Sequence, residues 1–256
     1  MGPGQSTRRE QSETETGCPV CSGPSRQALL KDGHAIFGCD VCGFLFVHPY
    51  PSQGELDAFY NADYRGVDRN FYPKAASRRR RAFVRSLPLA PHVWGKSVLE
   101  LGCGGGFMTA AFATWAKRAV GIDLSQAAID YAAAHFPKAA FRCETLAACA
   151  ARGETFDFVF SSELFEHLPG VDKVMAGLMQ VTRPGGLVYV STPDASHPAR
   201  PADLSQWSDI CPPEHLQWFG RDSLTRLFRN HGFEPYKLMR NPKPAHSALF
   251  RRSQVT

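Results

Sequence analysis

The sequence predicts an α/β fold with a mostly parallel sheet, preceded by a small metal-binding module. From residue 96 onward, short apolar runs alternate with helical segments of about 10 to 15 residues, the pattern of a parallel sheet covered on both faces. Ahead of residue 50, four cysteines stand in two Cys-x-x-Cys pairs. The 256 residues suffice for one sizeable core plus a small module.

Composition is that of a soluble globular protein, with 43% hydrophobic and 21% charged residues. The net charge of +5 permits an anionic partner without requiring one. No apolar run approaches the length of about 18 to 20 residues that spans a bilayer. Residues 1–16 lack the apolar core of a signal peptide and are expected to be a disordered tail. We therefore expect a cytoplasmic protein without membrane insertion.

Residues 17–50 are predicted to form a zinc-ribbon module. Each Cys-x-x-Cys pair can wrap one face of a tetrahedral ion, and the intervening 17 residues suit a hairpin that brings the pairs together. Four thiolates close the coordination shell, so the zinc is expected to be structural. Clustering without a secretion signal favours metal over disulfides, and redox-active dithiols are the alternative. The predicted ligands are Cys18, Cys21, Cys39 and Cys42.

Residues 51–94 are predicted to be a helical linker or lid. Tyr60 and Tyr64 lie four residues apart and would share a helix face, where they either pack or cover a cofactor. The four consecutive arginines at 78–81 fall in a second predicted helix. A solvated helix face is the ordinary meaning of such a charge run, and contact with phosphate or RNA is the alternative.

Residues 95–256 are predicted to form the α/β domain. Ligands of such sheets bind outside the carboxyl ends of the strands, where the strand order reverses. The predicted strands, in order, are KSVLELG, RAVGIDL, AAFRCE, FDFVFSS and GGLVYVSTP, followed by GFEPYKLMR and SALFRR, which would make the sheet mixed.

A glycine-rich loop follows the first of these strands. Gly102, Gly104 and Gly106 let the backbone turn tightly and approach a ligand closely. Phe107 would crowd a pyrophosphate, so the loop does not suit a dinucleotide. Asp123 ends the next strand, 21 residues after Gly102, where a carboxylate can accept hydrogen bonds from a ribose diol. The pair suits a nucleoside without phosphates.

Four motifs in this order resemble those of the class I S-adenosylmethionine-dependent methyltransferases. They are VLELGCGGGF, VGIDLS, FDFVFSSELFEHLPG and RPGGLVYVSTPD. The resemblance implies a Rossmann-like, seven-stranded mixed sheet whose final strand is antiparallel. It also implies that the glycines line the methionine and ribose of the cofactor and that Asp123 binds the ribose hydroxyls. The cofactor-binding residues carried over by position are Glu100, Gly102, Gly104, Gly106, Asp123, Leu124, Glu144 and Ser161.

The connection after the fourth strand contains a Glu-x-x-Glu-His pattern at Glu163, Glu166 and His167. This pattern resembles ubiquinone-pathway O-methyltransferases, where the corresponding residues can hold a divalent cation. A substrate-side role for His167 and a purely structural hydrogen-bonding role are the alternatives.

The long connection at 193–220 carries Glu214 and His215. A loop of this length inside a compact domain is usually functional. The run EHLQWFGRDSL resembles bacterial sugar C-methyltransferases, which also carry a four-cysteine zinc module. The resemblance implies that Glu214 and His215 lie at the substrate and that His215 acts as general base; capping or backbone hydrogen bonding is the alternative. The extra C-terminal domain of those enzymes has no counterpart in this sequence.

The function expected from these features is methylation of an O or C atom of a small-molecule acceptor, with S-adenosylmethionine as cofactor and zinc as a structural ion. His215, Glu214 and His167 are the predicted catalytic residues. A zinc-ribbon RNA methyltransferase and a non-catalytic cofactor-binding protein are the alternatives. Nucleic acid is not expected as a partner, because aromatic residues do not alternate with the arginines in the sequence.

Overall fold

The computed structural model describes residues 15–59 and 72–254. Most of the predicted N-terminal tail, together with Tyr60 and Tyr64, lies outside the described residues. Within them, no helix is long and apolar enough to cross a bilayer.

The described strands form two sheets, one small and antiparallel, the other large and mixed. The strands are β1 Glu15–Gly17, β2 Pro24–Lys31, β3 His34–Cys39, β4 Leu45–Val47, β5 Ser97–Leu101, β6 Arg118–Asp123, β7 Ala140–Cys143, β8 Phe156–Ser162, β9 Thr182–Pro193, β10 Gln217–Trp218, β11 Phe233–Leu238 and β12 Ala245–Arg252.

Helices cover the large sheet, and several begin at residues that cap them. The side chains of Ser125 and Thr145 accept hydrogen bonds from the main-chain N–H of Ala128 and Ala148. The helices are α1 Gln53–Phe59, α2 Ala75–Ser86, α3 Ala90–Val93, α4 Phe107–Phe112, α5 Gln126–His135, α6 Leu146–Ala151, α7 Val171–Val181 and α8 Arg221–Asn230, with 3-10 turns at Leu87–Leu89, Phe165–His167 and Leu204–Gln206.

The large sheet has seven strands in the order β11-β12-β9-β8-β5-β6-β7. Strand β12 pairs antiparallel with both of its neighbours, whereas β9, β8, β5, β6 and β7 pair in parallel. The prediction of a seven-stranded mixed sheet is therefore confirmed. The order reverses between β5 and β8, so a ligand crevice is expected at their carboxyl ends.

The small sheet has the order β1-β2-β3-β4-β10 and is antiparallel throughout. Its fifth strand comes from the long connection that follows β9, where Gln217 pairs with Phe46 and Trp218 with Leu45. The edge of β4 has unpaired backbone groups that need partners. The connection therefore does more than form a loop, since it completes the small sheet.

The two sheets share one hydrophobic core. Phe44 and Phe46 belong to the same buried cluster as Phe219 and Phe228 of the C-terminal region. The rings of Phe44 and Phe219 lie 4.9 Å apart between centroids. The small sheet is therefore packed onto the α/β domain through buried aromatic side chains, and it lies against the segment that carries His215.

Candidate functional site

The glycine loop connects β5 to α4 at the carboxyl edge of the sheet. Gly102, Gly104 and Gly106 adopt φ angles of 66°, 48° and 77°, which side chains with a Cβ rarely adopt. The N–H of Gly104 donates to Asp123 Oδ2 at 2.8 Å, and that of Ser125 donates to Oδ1 at 2.9 Å. The Asp123 carboxylate is thus held at the rim of the loop. Each oxygen keeps a lone pair that can accept a further hydrogen bond.

The glycines differ in what surrounds them. A Cβ on Gly102 would lie 3.3 Å from Leu164, which follows β8, so the two strand ends of the crevice meet there. A Cβ on Gly106 would lie 2.6 Å from the ring of Phe141. Gly106 therefore also serves to pack the loop onto β7, whatever it contributes to a ligand.

Tyr72 covers the glycine loop and was not among the predicted site residues. A Cβ on Gly105 would lie 2.6 Å from its ring, and the Tyr72 ring contacts those of Phe107 and Tyr131 at centroid distances of 5.5 and 4.6 Å. Burial, and then the charge of Asp123, raise the pKa of Tyr72 to about 12. The sequence offered packing or a lid over a cofactor as roles for Tyr60 and Tyr64, which lie outside the described residues.

Glu100 is buried beneath the loop, and Thr109 Oγ1 donates to it. Burial raises the pKa of Glu100 to about 8, and the positive charge of Arg85 opposes this increase. Arg85 also donates to Ser162 Oγ at the end of β8, at 3.0 Å. Arg85 was likewise missed by the sequence analysis, because only the fold brings α2 to the ends of β5 and β8.

Ser161 Oγ, near the end of β8, is buried and has no hydrogen-bond partner among the described residues. Glu144 Oε1, just after β7, is also buried and forms an ion pair with Arg142 Nη1 at 3.5 Å. Leu124 lies next to Asp123 with its side chain exposed. The positions predicted for adenine and methionine therefore offer a carboxylate, a hydroxyl without a partner and an apolar side chain.

His167 and His215 form a pair beside this crevice. Their ring centroids are 4.7 Å apart, with the planes at 81°. His167 Nδ1 donates to the main-chain carbonyl of Glu214, and His215 Nδ1 donates to that of Asp209, each at 2.8 Å. A carbonyl can only accept, so Nδ1 carries the hydrogen in both rings and a neutral ring keeps its lone pair on Nε2.

Glu166 lies next to this pair and is fully buried. Its Oε2 accepts from Thr192 Oγ1 at 2.8 Å, whereas its Oε1 has no partner among the described residues. Burial raises the pKa of Glu166 to about 8. One ligand atom each from Glu166, His167 and His215 lies within 4.8 Å of the others. These three residues are called the histidine cluster below.

The resemblance to ubiquinone-pathway enzymes implied a different set, with Glu163 in place of His215. Glu163 Oε1 accepts from Ser191 Oγ at 3.0 Å, and Glu163 is not one of the three residues of the histidine cluster. It lies close to them, because its charge adds to burial in raising the pKa of Glu166. Glu214 contributes its main-chain carbonyl to His167. A direct role of the Glu214 carboxylate at the substrate stays a prediction.

Hydrogen bonds fix the segment after His215 to the rest of the site. The N–H of Leu216 donates to the carbonyl of Glu166 at 2.7 Å, and the carbonyl of Leu216 accepts from Val47 of the small sheet at 2.9 Å. Gln217 Nε2 donates to the carbonyl of Phe165 at 2.6 Å. The small sheet, the connection after β8 and His215 are therefore held together.

The four predicted zinc ligands form the second cluster, called the cysteine cluster below. Their sulfur atoms lie within 4.8 Å of one another. Cys18 Sγ is 3.6 Å from Cys42 Sγ, and Cys21 Sγ is 3.5 Å from Cys39 Sγ, well beyond a disulfide bond. Ligands about 2.3 Å from a tetrahedral zinc would stand about 3.8 Å apart. The sulfur positions thus fit such an ion.

The two cysteine turns have the same hydrogen-bond pattern. Cys18 N–H donates to the carbonyl of Gly23, and Cys39 N–H to that of Phe44. The sulfur of Cys18 accepts from Val20 N–H, and that of Cys39 from Val41 N–H, each at 3.4 Å. A hydrogen bond to sulfur favours the thiolate, which is the form that binds a metal.

The Methyltransferase domain family model matches residues 69–238 of this chain. A ubiquinone biosynthesis O-methyltransferase from Rhizobium johnstonii is 35% identical over 114 residues, 43% of this chain and 46% of that protein. The corresponding enzyme of Paraburkholderia phymatum is 32% identical over 145 residues, 54% of this chain and 62% of its own length. The chain thus spans about half the length of the curated relatives it matches.

The crystal structure of Burkholderia thailandensis 1,6-didemethyltoxoflavin-N1-methyltransferase has a TM-score of 0.58 at 19% identity, over 89% of this chain and 99% of that one. An S-adenosylmethionine-dependent methyltransferase from Mesorhizobium loti has a TM-score of 0.54 at 21% identity, over 67% of this chain and 98% of that one. At these identities the likeness shows the fold. Because the family model extends over most of the chain and the sheet has the same fold, the chain belongs to the methyltransferase domain family.

Proposed function

We propose that this protein transfers a methyl group from S-adenosylmethionine to an O or C atom of a small molecule. One observation carries the proposal: the glycine loop, with Asp123 bonded to its rim, and the histidine cluster occupy the same carboxyl edge of the sheet. The names of the relatives support a small-molecule acceptor, since they act in ubiquinone biosynthesis. The solved toxoflavin enzyme has the same fold.

The crevice has groups suited to each part of the cofactor. Asp123 would accept hydrogen bonds from the ribose hydroxyls, and Glu144, whose carboxylate pairs with Arg142, would accept one from the adenine amino group. Leu124 packs against the adenine face, and the glycine loop admits the ribose and methionine. When bound, the cofactor supplies an electrophilic methyl group on a sulfonium ion. Tyr72 excludes water from the loop it covers.

His215 is the proposed general base. Its Nδ1 hydrogen is fixed on the Asp209 carbonyl, so its Nε2 can take a proton from a hydroxyl or an acidic C–H of the acceptor. Burial, and then the neighbouring His215, lower the pKa of His167. His167 therefore stays neutral while His215 accepts the proton. Glu166 is the acidic neighbour of the pair.

The unpaired Oε1 of Glu166 favours a second role for the histidine cluster. A carboxylate and two imidazoles whose Nδ1 atoms donate to carbonyls are also suitable ligands for a divalent cation. Proton transfer and cation binding make different predictions. A dependence of methyl transfer on added Mg²⁺ or Mn²⁺ would replace His215 as general base with cation-assisted chemistry.

We further propose that the cysteine cluster holds a structural zinc ion. Four thiolates leave no open position, so the ion would supply no catalytic chemistry. The module would span residues 17–50, with the linker or lid at 51–94 and the methyltransferase domain at 95–256. The ion would stabilise β2, β3 and β4, and through β10 the segment after His215.

The first experiment measures binding of S-adenosylmethionine to the full chain by calorimetry. Asp123→Ala should weaken binding about tenfold to hundredfold, because it removes acceptors worth about 1.5–3 kcal/mol. Asp130→Ala removes an exposed carboxylate of α5 and is the matched control. Absence of binding by the wild-type chain would contradict the proposed function. Transfer of a labelled methyl group to candidate phenolic and enolic metabolites then identifies the acceptor.

A further inference from the structure

The arginine run lies in a part of the chain that carries many positively charged side chains and no negatively charged ones. Residues 72–96 contain seven Lys and Arg and no Asp or Glu, and residues 107–119 contain two Lys or Arg and again no acid. Helices α2 and α4, one in each of these segments, pack against each other. Acidic side chains from these two segments therefore do not neutralise the positive charge there.

Helix α2 uses little of its surface for packing. Ala82 and Ser86 are its buried residues. Arg80, Val84 and Leu87 lie on the opposite side at helical spacing, with Val84 55% and Leu87 44% exposed. A solvated helix face would carry polar residues at these positions. This outward face combines a cation with exposed aliphatic side chains.

An aromatic row extends the same face. Phe83 stacks on Trp115 at a centroid distance of 5.7 Å, and Trp94 contacts Trp115 at 5.9 Å. Trp94 is 68% exposed, and Trp115 Nε1 donates to Ser86 Oγ. The ring faces are therefore turned toward one another, while a large part of the Trp94 side chain stays in contact with solvent.

The arginines of the run are not equivalent. Arg78 lies over the ring of Tyr72, and Arg85, in the last turn of the helix, donates to Ser162. The side chains of Arg79, Arg80 and Arg81 form no ion pair or hydrogen bond with any of residues 15–59 and 72–254. Their charges are available to a partner. Arg79 lies on the side of the helix that carries Ala82, so the cationic face is defined here by Arg80, Arg81, Phe83, Val84, Leu87 and Trp94.

We propose that the cationic face docks the protein peripherally on an anionic lipid bilayer. The arginines would contact lipid phosphates, and Val84, Leu87 and Trp94 would enter the interfacial region. Single-stranded nucleic acid fits the face less well, because bases need free ring faces for stacking, and Phe83 stacks on Trp115, which leaves mainly the exposed Trp94 ring for a base. The proposal concerns location and is independent of the methyl-transfer reaction.

The test is co-sedimentation of the full chain with vesicles. Binding is expected to vesicles of phosphatidylglycerol mixed equally with phosphatidylcholine, and not to phosphatidylcholine alone. Arg80→Gln with Arg81→Gln should lower partitioning about 25-fold, since each cation near such a surface contributes about fivefold. Lys138→Gln with Lys173→Gln removes the same charge from exposed positions elsewhere and should change partitioning far less.

Tryptophan fluorescence provides a second readout that does not depend on charge. Trp207 and Trp218 are buried and Trp115 is half-buried, whereas Trp94 is 68% exposed, so a blue shift on adding anionic vesicles should come mainly from Trp94. Trp94→Phe should remove most of that shift while the protein still sediments with the vesicles. Leu87→Ser should weaken sedimentation without altering the net charge.

Three results would overturn the proposal. The first is equal binding to neutral and anionic vesicles, and the second is equal loss of binding in the arginine and lysine double variants. The third is salt-sensitive binding to single-stranded RNA with no sedimentation on anionic vesicles, which would assign the face to nucleic acid. Circular dichroism of each variant verifies that a loss of binding does not reflect unfolding.

Discussion

The cysteine cluster and the histidine cluster each gather groups that can hold a proton or a metal, but they are assembled differently. The cysteine cluster comes from two short turns with the same hydrogen bonds, and one hairpin brings the turns together. The histidine cluster takes Glu166 and His167 from the connection after β8 and His215 from the connection after β9. A bond from Leu216 N–H to the Glu166 carbonyl joins the two connections.

This difference decides what each cluster depends on. A few neighbouring residues specify the local geometry of the cysteine turns. We therefore expect the stability of the cysteine cluster to depend mainly on the ion that it is proposed to hold. The histidine cluster forms only when β8, β9 and β10 are in place. Its geometry therefore depends on both sheets. A substitution that disrupts the cysteine cluster should therefore also disturb the geometry of the histidine cluster, through β10. A substitution in the histidine cluster should have only local structural effects.

The largest effect is expected from breaking the cysteine cluster with Cys39→Ser. The variant should bind little zinc, whereas the wild-type chain should hold about one ion per molecule. The small sheet shares its core with Phe219 and Phe228, so the melting temperature should fall by at least about 10 °C. Elemental analysis and calorimetry measure the two effects.

Cys143→Ser is the control for this experiment, because Cys143 is exposed and lies outside the cysteine cluster. It should leave both the zinc content and the melting temperature unchanged. A Cys39→Ser protein with the wild-type melting temperature would show that the cysteine cluster does not support the fold.

A smaller effect is expected from Glu166→Gln in the histidine cluster. The folded-state pKa of Glu166 is about 8, above the value of 4.5 for an unperturbed carboxyl group. The wild type therefore loses stability as the pH rises from about 4.5 through 8, because the buried group must ionise. The glutamine variant lacks this loss. Relative to the wild type, its free energy of unfolding should increase as the pH rises from about 4.5 to 8, by up to about 5 kcal/mol.

Denaturant unfolding at several pH values measures this difference. Glu234→Gln controls for the loss of one negative charge, since Glu234 is an exposed residue of β11. A constant difference between the Glu166→Gln variant and the wild type from pH 5 to pH 9 would contradict a buried, protonated Glu166.

The smallest effect is expected within the imidazole pair. His215→Gln should raise the pKa of His167, because it removes the smaller of the two effects that lower this pKa and leaves burial, the larger one, in place. Titration of the His167 ring signals by NMR measures the change. His92→Gln, in α3, should not move them. An unchanged pKa for His167 in the His215 variant would mean that His215 does not influence the protonation of His167.

Much of the fold was predictable because its signals are local. Apolar runs at regular intervals predicted each strand of the large sheet, and the ordered motifs predicted its antiparallel final strand. The gathering of the four cysteines followed from the spacing of two pairs. In each case, residues close in sequence determine the structure, so periodicity and spacing carry the information.

The missed features depend on contacts between distant segments. Gln217 and Trp218 form a strand because the edge of β4 is available, and nothing in a two-residue stretch signals this. His167 and His215 were predicted separately, but their contact depends on how two connections meet. The position of Tyr72 over Gly105 depends on how the residues just before α2 meet the glycine loop, which is distant in sequence. Sequence reasoning identified suitable residue types, and the fold determined which of them meet.

The origin of β10 has a consequence for synthesis. The chain is synthesised from its N-terminus, so β1 to β4 leave the ribosome before Gln217 and Trp218 have been added. During that interval, the edge of β4 and the rings of Phe44 and Phe46 lack the partners that later cover them. Early capture of an ion by the four thiols would hold the nascent hairpin in shape until the last third of the polypeptide arrives.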